Sequence, residues 1–271
     1  MATAPASLAI TTASRPLSRT LTLYAKEAKY EFLKYLRLPI YSMSTVLFPI
    51  MFYVLFGLMM NRQGTVNTMT VSTYLLATYG TFGVMGASLF ANGAGVAAER
   101  GLGWMQVKRA SPMPPFANFL AKFAVGMIFS SIIELALMIL GIAFGGVHLG
   151  FSTAIKLLAT LVVGALPFCA MGLAIGYFAG PNSAPAVVNM IYLPISFLSG
   201  LWVPVTLLPK FLQHLATGLP PYHLAQAALR ILWPAEIGGS FWSDWEFLAG
   251  FMLVCLGIAR IGYQRDEKMY G

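Results

Sequence analysis

The sequence predicts an all-α integral membrane protein with six transmembrane helices, and three observations carry that prediction. Of 271 residues, 58% are hydrophobic and only 10% are charged, against roughly 45–50% and about 25% in a soluble domain; mean hydropathy is +0.74. The apolar residues fall into six runs, at about 40–60, 73–97, 119–146, 154–179, 186–205 and 245–263, most of them near the roughly 20 residues that cross the hydrocarbon core. Basic residues occupy alternate gaps. Of the 17 Lys and Arg, thirteen lie before the first run, between the second and third, or at the end of the sixth, leaving only Arg62, Lys156, Lys210 and Arg230 on the other side. The positive-inside rule then puts both termini in the cytoplasm.

A net charge of +8 raises the question of nucleic acid, but the basic residues sit in short flanks of apolar runs and form no continuous basic face, so no nucleic-acid partner is expected. Cys169 and Cys255 both lie inside apolar runs, which suits packing rather than a disulfide or a metal cluster.

Residues 1–20 are rich in Ala, Ser and Thr without an apolar core of signal-peptide length, so a disordered cytoplasmic tail is expected there. The transmembrane domain follows over 21–263, with a short cytoplasmic tail at 264–271. Leu21, Tyr24, Ala25, Ala28, Phe32, Tyr35 and Leu36 recur at helical spacing, while Lys26, Lys29, Glu31 and Lys34 fall elsewhere. That pattern predicts an amphipathic helix lying in the membrane interface, its charged side outward.

Pro39 opens the first span. The second ends at a charged loop from Ala98 to Pro115 that contains Glu99, Arg100, Gly101, Trp104, Lys108, Arg109, Ser111 and Pro112. The third and fourth spans are joined by a short turn holding His148 and Gly150, and the Gly180–Pro185 cluster breaks the chain before the fifth. Between the fifth and sixth spans, Pro209, Pro220, Pro221 and Pro234 divide an apolar stretch into two short helices, about 209–218 and 222–233. Too short to cross, they are expected to dip into the outer leaflet, where Trp202, Trp233, Trp242 and Trp245 supply an aromatic belt.

No catalytic constellation is present: the sequence has no G-x-x-x-x-G-K-S/T phosphate loop, no H-E-x-x-H and no G-x-S-x-G. Leu198-Ser199-Gly200 matches the start of a nucleotide-binding signature by chance, and no soluble segment is long enough for an ATPase domain. Two polar stripes stand out instead. Tyr74, Thr78, Thr81, Met85, Ser88 and Asn92 are spaced four, three, four, three and four apart, and Asn189, Tyr192, Ser196 and Ser199 are spaced three, four and three apart. Each stripe lies on one helix face and either lines a watery path or bonds helices together. Glu134 is the one acid deep in a span, where facing lipid would cost about 3 kcal/mol; it is either an ion site or a structural partner for Ser130. Gly172, Gly176 and Gly180 form a doubled small-x-x-x-small pattern, the mark of close helix packing.

The loop Glu99-Arg100-Gly101 through Lys108-Arg109-Ala110-Ser111-Pro112, with Lys122 beyond it, and the stretch Ser199-Gly200-Leu201-Trp202-Val203-Pro204 continuing to Leu208-Pro209 and Leu219-Pro220-Pro221-Tyr222, resemble the membrane subunit of ABC type-2 exporters. The resemblance implies that the first segment couples to a nucleotide-binding ATPase subunit and that the second leads into re-entrant helices near the exit. It implies a second permease copy or paralogue and a bacterial inner-membrane location. ATP and Mg would be used by the partner subunit, with no cofactor bound by this chain. It also implies that Tyr74, Thr78, Thr81, Ser88, Asn92, Asn189, Tyr192, Ser196 and Ser199 border a path for an amphiphile, lipid, drug or glycan. Glu134 matches no family pattern. An ion-coupled secondary transporter using Glu134 and a membrane-embedded enzyme are the alternatives, the first lacking a second intramembrane acid and an inverted repeat, the second lacking catalytic motifs.

Overall fold

The computed structural model describes residues 17–60, 64–66, 69–110, 115–234 and 237–270. The expected N-terminal tail falls almost wholly outside these residues, as do Ser111 and Pro112.

The chain is helical nearly throughout. Helix α1 (Leu17–Leu36) begins four residues earlier than its apolar stripe suggests. The first span is α2 (Pro39–Phe52), opened by a proline in its first turn and continued as a π-helical segment, Tyr53–Met60. A minimal antiparallel ribbon, β1 (Thr65–Val66) with β2 (Met69–Thr70), leads into α3 (Val71–Leu89). Thr70 caps α3 by accepting from Thr73 N, satisfying one of the donors that a helix start leaves open. A π turn, Phe90–Ala94, joins α3 to α4 (Gly95–Gly101), and α5 (Trp104–Ala110) follows. Then come α6 (Pro115–Phe144), α7 (Phe151–Val163) and α8 (Ala165–Phe178), α9 (Ala184–Leu198), the short α10 (Lys210–Ala216) and α11 (Pro220–Leu232), and finally α12 (Phe241–Tyr270).

Among the described residues five helical stretches are long and apolar enough to cross a membrane: Ser42–Met60, Val71–Gly101, Phe116–Phe144, Phe151–Phe178 and Phe241–Glu267. The fifth run of the sequence forms only the 15 residues of α9, which reach about 22 Å at 1.5 Å per residue. It stops at Leu198 and not near Val205 because Gly200 adopts φ +75°, closing the helix with bonds from Gly200 N to Phe197 O and Leu201 N to Ser196 O.

The second span is the axis of the molecule. Most of its length is buried, and Leu76, Phe82, Met85 and Leu89 meet Phe129, Ile133 and Leu137 of α6 and Phe168 of α8 in one apolar core. Side chains alone do not bring α8 against it. A Cβ on Gly172 would meet the Asn92 Cβ at 2.9 Å, and one on Gly176 would meet Gly93 O at 2.8 Å, so only glycine permits this approach. The third glycine of the pattern, Gly180, lies past the end of α8 in an exposed turn.

The wider turns of the π segment in the first span leave carbonyls in need of donors. Ser72 supplies one, donating from Oγ to Gly57 O at 2.7 Å, while the buried Tyr53 hydroxyl donates to Ser72 O at 3.1 Å. Helix α11 is buried along Leu224, Ala225, Ala227, Ala228 and Leu229 and rests on α3, α7 and α12. Leu224 fills the break between α7 and α8, directly over Gly164.

Replacing Gly176 by valine is expected to destabilise the detergent-solubilised protein by about 2 kcal/mol through overpacking, read as a lowered melting temperature. A matching substitution at Gly257, which has no neighbour within 4 Å, should leave the melting temperature unchanged.

Candidate functional site: a buried charge network beneath the surface loop

Four helices converge at the end of the molecule that carries the charged loop. Lys122 lies two turns into α6 and only 1% exposed. Its Nζ is 2.9 Å from Glu31 Oε1 of α1 and 2.8 Å from Glu99 Oε2 of α4. Lys34, one turn after Glu31, pairs with Glu31 at 2.7 Å and also with Glu99. Lys108 of α5 reaches Glu27 at 3.3 Å, Glu31 at 3.6 Å and Glu99 at 3.9 Å, and donates to Asn118 Oδ1 at 2.7 Å. Three carboxylates and three ammonium groups thus form one neutral cluster that ties α1, α4, α5 and α6 together. Burying a charge is costly unless it is paired and hydrogen-bonded, which fixes the relative placement of all four helices.

The sequence expectation for α1 needs correcting on one point. Glu31 does not face outward with the lysines; it is 5% exposed and turned toward α6, next to Phe32 and Tyr35 on the inward side. The reason is Lys122, an ammonium placed early in an apolar helix that requires acids from its neighbours. Burial alone would raise the Glu31 carboxyl, but Lys122, Lys34 and Lys108 outweigh it and hold the group far below the usual carboxylate range. Tyr35 completes the junction: its hydroxyl donates to Ala91 O inside the π turn at 2.6 Å, and Lys34 lies over its ring at 4.7 Å. Burial, reinforced by Glu31 and Glu99, pushes that phenol well above its ordinary value, so it remains a donor.

Arg100 forms a second clamp. It pairs with Asp266 of α12 at 2.9 Å and donates to Gly176 O at 2.9 Å and Ala179 O at 3.4 Å, closing the end of α8 against α4 and α12. Gly101 lets Pro181 approach; a Cβ there would sit 2.7 Å from the proline ring. Gly103 at φ +75° then reverses the chain into α5. Among the described side chains, and apart from Gln106, what α5 and this turn leave uncovered is apolar: Leu102 is 74% exposed, Trp104 54% and Val107 61%. The Arg109 side chain lies outside what the structure describes.

The two polar stripes are largely interior to the chain. Thr78, Thr81, Ser88 and Asn92 on the second span and Tyr192, Ser196 and Ser199 on the fifth run are buried, and several satisfy backbone carbonyls: Thr81 donates to Ala77 O, Asn92 to Ser88 O and Ser196 to Tyr192 O. Ser196 links the stripes, its hydroxyl 3.9 Å from Met85 Sδ, and Tyr192 ties α9 to the neighbouring face of α3, stacking on Phe82 at 4.7 Å and donating to Phe82 O at 3.1 Å. Tyr74 is half-buried and Asn189 exposed. Asn189 opens onto a cleft of about 370 Å³ between α2, α3 and α9, with Ser44, Thr45, Phe48, Phe90 and Leu193 in its walls.

Glu134 is fully buried against Gly80 of α3 and Leu161 of α7. Neither carboxylate oxygen has a hydrogen-bond partner among the described residues. Ser130 is not that partner, because its hydroxyl donates to Gly126 O at 2.7 Å.

Sequence reasoning singled out Glu99, Arg100 and Lys108 but placed no weight on Glu27, Glu31 and Lys34 as part of the same site. A signal was available: Lys122 and Glu99 both lie at the edges of apolar runs, and such charges need partners from a neighbouring helix.

A helical, multi-pass membrane protein whose longest buried span ends in a charge-clamped surface loop has the organisation of a transport permease. The family model for "ABC-2 type transporter" matches residues 27–233, and the chain belongs to that family. It is also similar to a protein of Bacillus subtilis (strain 168) named "Putative transport permease YvfS", with 25% identity over 254 residues, covering 92% of this chain and all of the relative.

Lys122→Met should destabilise the protein by about 3–5 kcal/mol, since it leaves three carboxylates to two ammonium groups in a buried cluster, whereas Lys156→Met on the exposed side of α7 should have little effect. The depressed Glu31 carboxyl makes its contribution fully above its ordinary value of 4.5 and loses it as pH falls toward the folded-state value. Melting temperature should therefore drop below about pH 4.5 in wild type, and Glu31→Gln, though less stable at neutral pH, should show a shallower acid limb.

Proposed function

We propose that this chain is the permease subunit of an ATP-driven exporter in a bacterial inner membrane, with α1, α4, α5 and the start of α6 forming the block that receives force from a separate ATPase subunit. The observation that supports this reading above all is the pairing of a buried charge network with an exposed apolar surface on the same short element. Lys108 anchors α5 to Glu27, Glu31 and Asn118, while Trp104 and Val107 of the same helix and Leu102 just before it remain exposed. A partner seated on that surface pushes on the second span through Glu99 and on the third through Lys122, without loss in a flexible linker. ATP and Mg belong to the partner subunit on this reading.

In the same proposal α9, assisted by the turn at Gly200, completes a sixth crossing, both termini are cytoplasmic, and α10 and α11 re-enter from the outer side. The first span and α9 leave Met43, Leu47, Met190 and Phe197 exposed, and the cleft beside Asn189 lies between them. A second permease half covers this face, and the path for an amphiphile, lipid, drug or glycan opens when the buried stripes on α3 and α9 separate. The ion-coupled alternative rests on Glu134 alone; Ser130, the partner expected on the structural reading of that acid, is engaged elsewhere.

Two variants read different parts of this proposal in reconstituted vesicles with a co-expressed ATPase. Leu102→Asp with Val107→Asp should abolish co-purification of the ATPase while leaving the melting temperature of the isolated permease within a few degrees of wild type. Glu99→Gln should retain the ATPase but lower transport and substrate-stimulated hydrolysis at least tenfold. Full coupled activity in both variants would exclude the assigned role.

A further inference from the structure

On the side opposite the charge network, the structure holds a second and larger concavity of about 490 Å³. Helix α11 builds one wall: Tyr222, Gln226, Leu229 and Trp233 recur at spacings of four, three and four, and all four line the cavity. Tyr74 at the start of α3, with Gln213 and His214 on α10, faces them across it. The frame is pinned at its edge. Arg230, one turn after Gln226 on α11, donates to Gly238 O at 2.8 Å and Ser240 O at 3.0 Å and pairs with Asp244. His223 bridges Asp244 at 2.8 Å and Thr217 O at 2.9 Å, and Gln213 donates to Leu208 O at 2.7 Å.

Three properties define what fits. Among the described residues no Lys, Arg, Asp or Glu lines the cavity, and the charge of the nearby Arg230 is paired with Asp244, so an anionic group finds no unpaired counter-charge among those residues. The walls combine three aromatic rings with amide and hydroxyl groups, and the side chains of Tyr222 and Gln226 make no hydrogen bond to other described residues. These are uncommitted donors and acceptors in a half-buried site, the arrangement that orients a polar ligand. The third property is the outer rim. Gln213 and His214 of α10 line the cavity, while Phe211 and Leu215 of the same helix and Leu207 just before it are exposed, an apolar surface beside the lining residues Thr206, Gln213 and His214.

We infer that this cavity binds the uncharged, polyhydroxylated headgroup of an amphiphile, a single hexose ring, with aromatic faces against the sugar, Gln226 and Tyr222 bonded to its hydroxyls, and the acyl chains lying along Leu207, Phe211 and Leu215. The ATPase plays no part in this binding, so the test uses the isolated permease without nucleotide, and its failure leaves the coupling proposal standing.

The full chain is reconstituted in phosphatidylcholine nanodiscs that also contain monoglucosyl diacylglycerol or phosphatidylglycerol at equal mole fraction, and retained lipid is counted by native mass spectrometry. The glucosyl lipid should be retained saturably, at one per chain, in preference to phosphatidylglycerol. Gln226→Leu and Tyr222→Phe should each weaken retention about 3–10-fold, the loss of one neutral hydrogen bond, while Trp242→Phe, exposed and outside the cavity, leaves it unchanged. Circular dichroism melting of each variant separates lost binding from lost fold. Equal retention by wild type and both cavity variants, preference for phosphatidylglycerol, or binding of free methyl glucoside as tight as the lipid would each overturn the inference.

Discussion

The ammonium of Lys122 is the constraint on which the half of the molecule carrying the charged loop depends. An alkyl ammonium cannot stay buried in an apolar helix end without nearby carboxylates, and here α1 and α4 deliver one each, 2.9 and 2.8 Å away. Because those two acids come from segments about seventy residues apart in sequence, the pairing decides how α1 docks on the bundle. Lys34 and Lys108 then neutralise what remains, and the loop helix is carried into place by the second of them. Hydrophobic packing alone would leave α1 free to slide along α6; the ion cluster gives it a single register. Specificity of this kind is a better account of a buried ion cluster than net stabilisation.

Much of the fold was legible in composition and spacing. Apolar runs of membrane-crossing length, the breaks at Pro39 and Gly180–Pro185, and the two short helices between prolines all follow from rules that act within a few residues. The fifth run shows where such reading stops: nothing in the hydropathy of 186–205 separates the last helical residue from the turn, and only the positive φ at Gly200 ends the helix at Leu198. The charge network was half legible. Glu99, Arg100 and Lys108 announce themselves in a loop, whereas Glu31 is hidden among lysines on a helix whose amphipathic pattern assigns it outward. Its true orientation is set by a residue on another helix, which periodicity within α1 cannot reveal.

The polar stripes teach a related lesson. Helical spacing correctly places Thr78, Thr81, Ser88 and Asn92 on one side of the second span, but a shared face does not say what that face meets. In this structure its far end, Ser88 and Asn92, meets Gly172 of α8, and Met85 on the same face meets Ser196 of α9. Small residues on one helix and hydroxyls on the other let backbones come close while leaving groups that water could engage once the helices part.

The π turn at Phe90–Ala94 holds Asn92, the last residue of the first stripe, and comes before Glu99. A π turn accommodates one residue more than an α-helix would in the same length, and the Tyr35 hydroxyl is bonded to a carbonyl within it. If that surplus residue were passed along the span, everything beyond it would rotate by about 100° and advance about 1.5 Å, turning Glu99 away from Lys122. The second span therefore contains a screw thread, with Tyr35 as the pin that holds it at one setting.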